Sequence, residues 1–301
     1  MIEVNYEKHL IRKPIENAYE QVEGRQSPMT YMSHELVPGC PIQVDLSWIY
    51  GIPEPNPYMV ERKSDYDQII LNIGGDPYHP EELGAEMEFY LGGKSFTLNV
   101  ASAIYIPKGV RYGPITWKSV NRPYLEMKIG LIGAKAEKQK IGLIHDEEDM
   151  NYDKYIIKEP IYREGVKTIQ GPLGPVMLYM CNDLVPESDI YIDYLWMFGI
   201  PEPHIFEHSH DFDEVVLHIS GDPYNQESLG AEIQFCVGGQ PLLFNQTTAI
   251  YIPKGVKHGP LTWNKFDRPH IQMPIVLGAG TLDEAKPAGY DGDEPFFKNI
   301  A

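Results

Sequence analysis

The sequence is short of cysteine and of positive charge, and it has no long apolar run. Cys40, Cys181 and Cys236 are too few and too scattered for a disulfide framework or a paired-thiolate metal site, which favours a reducing compartment. Lys and Arg together number 25 against 43 Asp and Glu, a net charge of −18. So acidic a chain repels phosphate backbones and anionic lipid, so no nucleic acid and no membrane partner is expected. No stretch approaches the roughly eighteen consecutive apolar residues that cross a bilayer. Residues 1–21 are charged throughout, where a secretory signal would be apolar. The expectation is a soluble, cytoplasmic protein.

What the chain does have is a repeat. Ile52-Pro53-Glu54-Pro55 returns as Ile200-Pro201-Glu202-Pro203, and Leu83-Gly84-Ala85-Glu86 returns as Leu229-Gly230-Ala231-Glu232. Ala103 to Val110 returns residue for residue as Ala249 to Val256. Such self-similarity marks a duplicated domain. The division expected from it is a first domain over 1–133, a linker over 134–151, a second domain over 152–280 and an acidic tail over 281–301. The linker is highly charged and is expected to hold a helical turn at most, while the tail either frays or lays Phe296 and Phe297 on a neighbour.

Short β-branched and aromatic runs bounded by Gly, Pro and Asp fill both halves, for example Glu214 to Ser220, Ala231 to Val237 and Thr248 to Ile252. Gly221-Asp222-Pro223 and Gly238-Gly239 are turn signals. This pattern predicts an all-β chain, with one antiparallel sandwich or barrel in each half.

The halves differ where chemistry would reside. The second carries His208, His210, Glu214 and His258 where the first has Arg62, Ser64, Gln68 and Tyr112. Side chains of a strand alternate between faces, so His208, His210 and Glu214 would share one, with Val216 continuing it toward the core. His258, after the Pro253-Lys254-Gly255 turn, would be the fourth ligand. Imidazoles with one carboxylate suit a divalent ion, Mn, Fe or Zn above all, with Ni or Co also compatible.

HxHxxxE, then Gly221 after six intervening residues, then PxGxxH, resembles the paired motifs of the cupin superfamily, and the likeness spans both halves as a bicupin. The resemblance implies two tandem jelly-roll β-barrels with short helical or extended arms, and His208, His210, Glu214 and His258 as metal ligands. It departs from the pattern in two places, since Gly199 is the nearest glycine before the first His and Thr262 stands where Asn is common. It also implies a homo-oligomer, a dimer, through an N-terminal arm over Tyr6 to Gln21 that swaps onto a partner barrel.

Further residues are candidates by strand parity. His218 would face the same cavity one step deeper, as a base or as a donor behind the ligands, and Glu232 is a possible acid or base. His204, His270 and Gln272 are candidate substrate-binding groups. Residues common to both halves, such as Trp48 and Trp196, Lys108 and Lys254, and Arg122 and Arg268, are expected to serve architecture, because the first half keeps them without the ligands. The expected activity is redox-neutral cleavage or isomerisation of a C–C or C–O bond in a small enolisable carbonyl, β-dicarbonyl or hydroxy acid, with His218 or Glu232 moving the proton. The alternatives are an Fe(II)-dependent dioxygenase and a non-catalytic binder of metal and a small metabolite.

Overall fold

The computed structural model describes residues 4–17, 22–133, 150–163, 171–202 and 207–280. The expected linker, apart from its last two residues, and the tail with Phe296 and Phe297 lie outside the described residues, as does His204. Among those described strand is the dominant element, helix is confined to short 3₁₀ turns, and every registered pairing between strands is antiparallel. The chain forms two compact units, Pro14–Glu159 and Met1–Lys13 with Pro160–Ala301.

Each unit packs a large sheet against a three-stranded one. In the second unit the large sheet has seven strands, ordered Leu10–Ile11, Thr248–Ile252, Asp213–Ser220, His270–Leu277, Ile190–Met197, Val176–Met180 and Ile161–Arg163. The small sheet is Gln240–Phe244, Ala231–Val237 and His258–Phe266. Alternation decides what lies between them. Val216, Met197, Ile233, Phe235, Ile250 and Trp263 point inward as one apolar cluster. The first unit repeats the plan, with Gln68–Gly74 and Tyr124–Gly130 central to its large sheet and Glu82–Leu91 central to its small one. This is the antiparallel pair that the strand pattern predicts, in the jelly-roll form that the cupin resemblance implies.

The unit boundaries depart from the expected ones at both arms. Leu10 and Ile11 pair with Ile250 and Ala249, so the N-terminal arm completes the unit built from the second repeat. Ile156 and Ile157 pair with Ile104 and Ala103, so residues 152–159 complete the unit built from the first. The expected domains 1–133 and 152–280 are therefore corrected by exchanged arms. The cause is an open sheet edge, which presents unpaired N–H and C=O groups that a short strand satisfies. The arm expected to reach a partner molecule is paired within its own chain.

A single 3₁₀ turn precedes each arm strand, Tyr6–His9 and Tyr152–Tyr155, each capped by the Asn side chain before it. Their tyrosines dock on glycines that nothing larger can replace. A Cβ on Gly92 would lie 2.1 Å from the Tyr152 ring, and one on Gly238 would lie 2.1 Å from that of Tyr6. Both glycines also have positive φ, 59° and 55°, which L side chains rarely adopt. Tyr152 is 3% exposed. Its removal in Tyr152→Ala is expected to cost about 3 kcal/mol, as aromatic truncation in a core does, read as a lowered urea midpoint. An unchanged midpoint would mean that the arm does not hold the first unit together.

Candidate metal centre

The segment carrying the first two histidines is not regular strand. The strand begins only at Asp213, and the chain before it is fixed by other bonds. His208 and His258 form an isolated antiparallel bridge, each N–H donating to the other's carbonyl at 2.8 Å. Gly255 N–H donates to the His210 carbonyl at 2.8 Å, and Lys254 N–H donates to Asp213 Oδ1 at 2.7 Å. These bonds seat the Pro253-Lys254-Gly255 turn against the start of the strand and deliver His258 beside its partners.

Among the described residues, the ligand nitrogens of His208, His210 and His258 lie within 4.8 Å of one another. Glu214 Oε2 is 3.2 Å from His258 Nε2 and 3.9 Å from His210 Nε2. His210, Glu214 and His258 are buried and His208 is half-buried. Phe212 stacks on the His210 ring, with centroids 4.6 Å apart, and Phe235 meets His258 edge-on. These rings limit how the imidazoles can turn.

The donor set fits a divalent ion. His258 Nδ1 lies 3.0 Å from the Val256 carbonyl, which can only accept, so Nδ1 carries the proton and Nε2 offers its lone pair inward. Buried His258 Nε2 and Glu214 Oε2 have no hydrogen-bond partner despite their approach. With His258 neutral these are two acceptors facing each other, an arrangement that is costly without a shared proton or cation. Burial acts to raise the Glu214 carboxyl, but the His258 contact and the charges of His258, His210 and His208 outweigh it and hold it at about 2. Burial lowers His258 and Glu214 raises it, with a net rise.

The other expected site residues are dispersed. His218 does share the inward face with Glu214, but it lies four residues on, about 13 Å along a strand. It is fully buried beside Phe244, Trp263 and His270. Burial, then His270, push its imidazole well below the ordinary value, and neither ring nitrogen has a partner. A base so desolvated and so remote does not suit proton transfer at the histidine cluster. His270 is equally enclosed, accepts from the Trp263 indole at 3.2 Å, and is pushed down to about 3 by burial. Gln272 pairs with His218 across the sheet and is half-buried on the same inward face.

Glu232 is a correction. Ala231, Ile233 and Phe235 of its strand face the core, so parity turns Glu232 outward, where Asn264 Nδ2 donates to it at 3.2 Å.

Asp193 is the inward carboxylate that the sequence reading passed over. The register that places Tyr191 beside Val276, itself beside Glu214, puts Asp193 on the same inward face two residues on. It accepts from the Tyr191 hydroxyl and lies 3.6 Å from Arg163. Burial pushes its carboxyl up to about 7, with Arg163 opposing and Glu214 adding to the rise. The signal was present in the Asp-x-x-Trp spacing common to both repeats, Asp45 with Trp48 and Asp193 with Trp196.

Purified protein is expected to take up one divalent ion per chain in isothermal titration, and His210→Ala or Glu214→Gln is expected to abolish uptake while leaving the fold intact. Because the ion displaces a proton from His258, whose basicity is raised, affinity should climb with pH through that titration and then level. Uptake by Glu214→Gln equal to that of the parent would contradict the assignment. His218→Leu loses no hydrogen bond and removes a buried unsatisfied polar ring, so it should keep full metal uptake and gain about 1 kcal/mol of stability. A clear loss of stability on thermal unfolding would refute that reading of His218.

No protein-family model and no curated protein matches the sequence. Solved structures are. AerE from Microcystis aeruginosa superposes with a TM-score of 0.56 at 11% identity, covering 90% of this chain and 99% of that one. A variant of oxalate decarboxylase from Bacillus subtilis gives 0.54 at 13% identity, covering 89% and 77%. A 7S globulin from Momordica charantia gives 0.53 at 8% identity, covering 89% and 84%. At such identities the likeness speaks for architecture alone. That architecture, already visible in the doubled jelly roll and in the turn that carries His258, is the cupin fold, present twice in one chain.

Proposed function

We propose that the second unit holds a divalent ion through His208, His210, Glu214 and His258, and that the chain is an enzyme acting on a small oxygenated acid or carbonyl compound. The observation that supports this is the convergence of three imidazoles on an ionised, buried carboxylate whose Oε2 has no hydrogen-bond partner. Manganese, iron and zinc all accept such a nitrogen and oxygen set. Three neutral imidazoles and one carboxylate leave a bound divalent ion with net positive charge, so an anionic oxygen ligand is favoured beside it.

When bound, the ion supplies Lewis acidity toward a chelated substrate oxygen. The chain's own groups do the rest. Asp193, enclosed and supported by the Tyr191 hydroxyl, is a carboxyl group on the inward face that can exchange a proton near neutrality. Gln272, half-buried and inward, offers an amide to a substrate oxygen. The apolar cluster around Val216 and Phe235 excludes water below the site.

The reaction class proposed is redox-neutral cleavage or isomerisation of a C–C or C–O bond. The neighbour named oxalate decarboxylase, by its name an enzyme that acts on a small dicarboxylic acid, supports the substrate class. The test is a screen of hydroxy acids and β-dicarbonyls with metal-loaded protein, with oxygen monitored by electrode. Turnover without oxygen consumption, abolished by a chelator and reduced at least about a hundredfold in Asp193→Asn, is expected. Stoichiometric oxygen uptake would instead establish a dioxygenase, and full turnover in chelator would rule out metal chemistry altogether.

A further inference from the structure

The first barrel has lost the ligands but not its interior. A cavity of about 220 Å³ opens there, lined among others by Arg25, Arg62, Gln68, Tyr112, Glu126 and Lys128. The backbone frame of the ligand site is kept. Arg62 and Tyr112 form the same isolated bridge as His208 and His258, and Lys108 N–H donates to Asp67 Oδ1 at 2.6 Å as Lys254 N–H does to Asp213. Only the side chains have changed.

Their change is directional. Arg25, which pairs with Ile49, stands where the second barrel has Leu173, paired with Met197. Glu126 stands where the second has Gln272, and Lys128 stands where it has Pro274. Three cations, Arg25, Arg62 and Lys128, thus line the cavity against two carboxylates, Glu126 and Asp45, in a chain of net charge −18. Asp45 is already spent, since it accepts from Thr30 at 2.6 Å and from Gln43 at 2.8 Å.

Arg25 and Glu126 are buried and incompletely satisfied. Arg25, whose side chain is 0% exposed, gives Nη2 to Glu126 Oε1 at 3.1 Å and lies over the Tyr58 ring, while its Nε and Nη1 have no partner. Glu126 Oε1 also receives Lys128 Nζ at 3.2 Å, and its buried Oε2 has no partner. Burial works to raise Glu126, but Lys128 and Arg25 hold it at about 2, so it is an acceptor at every physiological pH. Buried donors and a buried acceptor left open beside one cavity are costly unless a ligand or water completes them.

We propose that the first barrel is a metal-independent binding site for a small hydroxycarboxylate. The carboxylate lies against Arg25, Arg62 and Lys128, and the hydroxyl donates to Glu126 Oε2. A cation-lined pocket selects the acid, and the free carboxylate oxygen selects a ligand that also carries a hydrogen-bond donor. This site does not depend on the activity proposed for the second barrel.

The experiment is calorimetric titration of the full chain, held in chelator so that the second barrel carries no divalent ion, with L-lactate and L-malate, beside their deoxy counterparts propionate and succinate and inorganic phosphate. Variants Arg62→Gln, at an exposed position, and Lys128→Gln, which leaves the Arg25–Glu126 pair in place, report on the first barrel; His210→Ala reports on the second. The hydroxy acids are expected to bind, to lose at least about tenfold in affinity in Arg62→Gln and Lys128→Gln, and to bind His210→Ala unchanged. The deoxy acids and phosphate should bind about tenfold more weakly than the hydroxy acids. Absence of binding, or binding lost in His210→Ala and untouched in Arg62→Gln, would overturn the site. Equal affinity for hydroxy and deoxy acids, or for phosphate, would overturn the part assigned to Glu126.

Discussion

The second barrel's chemistry depends on a turn held against a strand. Lys254 N–H on Asp213, Gly255 N–H on the His210 carbonyl and the paired bonds between His208 and His258 bring together side chains separated by some fifty positions in sequence. Collecting three imidazoles around a buried carboxylate opposes desolvation and leaves polar atoms unsatisfied. Backbone bonds that do not involve the ligating atoms bear that cost, so the cluster is preorganised before anything binds it. The same bonds recur in the first barrel with Arg62, Ser64, Gln68 and Tyr112, where no ligand set exists. The frame is therefore a property of the fold, and the chemistry is a property of four side chains.

Most of this was legible in the sequence because duplication gave an internal control. Strands over Glu214 to Ser220 and Ala231 to Val237 followed from β-branched alternation, and the comparison of halves isolated His208, His210, Glu214 and His258 as the positions that differ. Alternation was less reliable at the ligands themselves, since 208–212 is a bridged, turned segment and its side chains converge through the His258 pairing. Register was the information missing for Glu232. Its strand alternates cleanly, but only the packing of Ile233 and Phe235 tells which parity faces inward.

The exchanged arms and Asp193 were hidden for different reasons. A strand as short as Leu10–Ile11 has no period to read, and its partner lies more than two hundred residues away, so no local signal announces it. Asp193 was visible but was discounted with every residue common to both halves. That rule holds for Trp196, Trp263 and Lys254, which are structural. The Asp common to both halves stands apart from these, because Asp45 lines the cavity of the first barrel. Both interiors carry buried charged groups among apolar ones, and they differ in which charges they present. The second gathers three imidazoles and a carboxylate, and the first places cations and one open acceptor around its cavity.

The most direct measurement is X-ray absorption at the zinc edge of protein loaded with one equivalent of zinc. Three imidazoles and one carboxylate should give a first shell of nitrogen and oxygen at about 2.0–2.2 Å with the multiple scattering of histidine. A sulfur shell near 2.3 Å, drawn from the cysteines, or a shell without histidine scattering would contradict the assignment of His208, His210, Glu214 and His258.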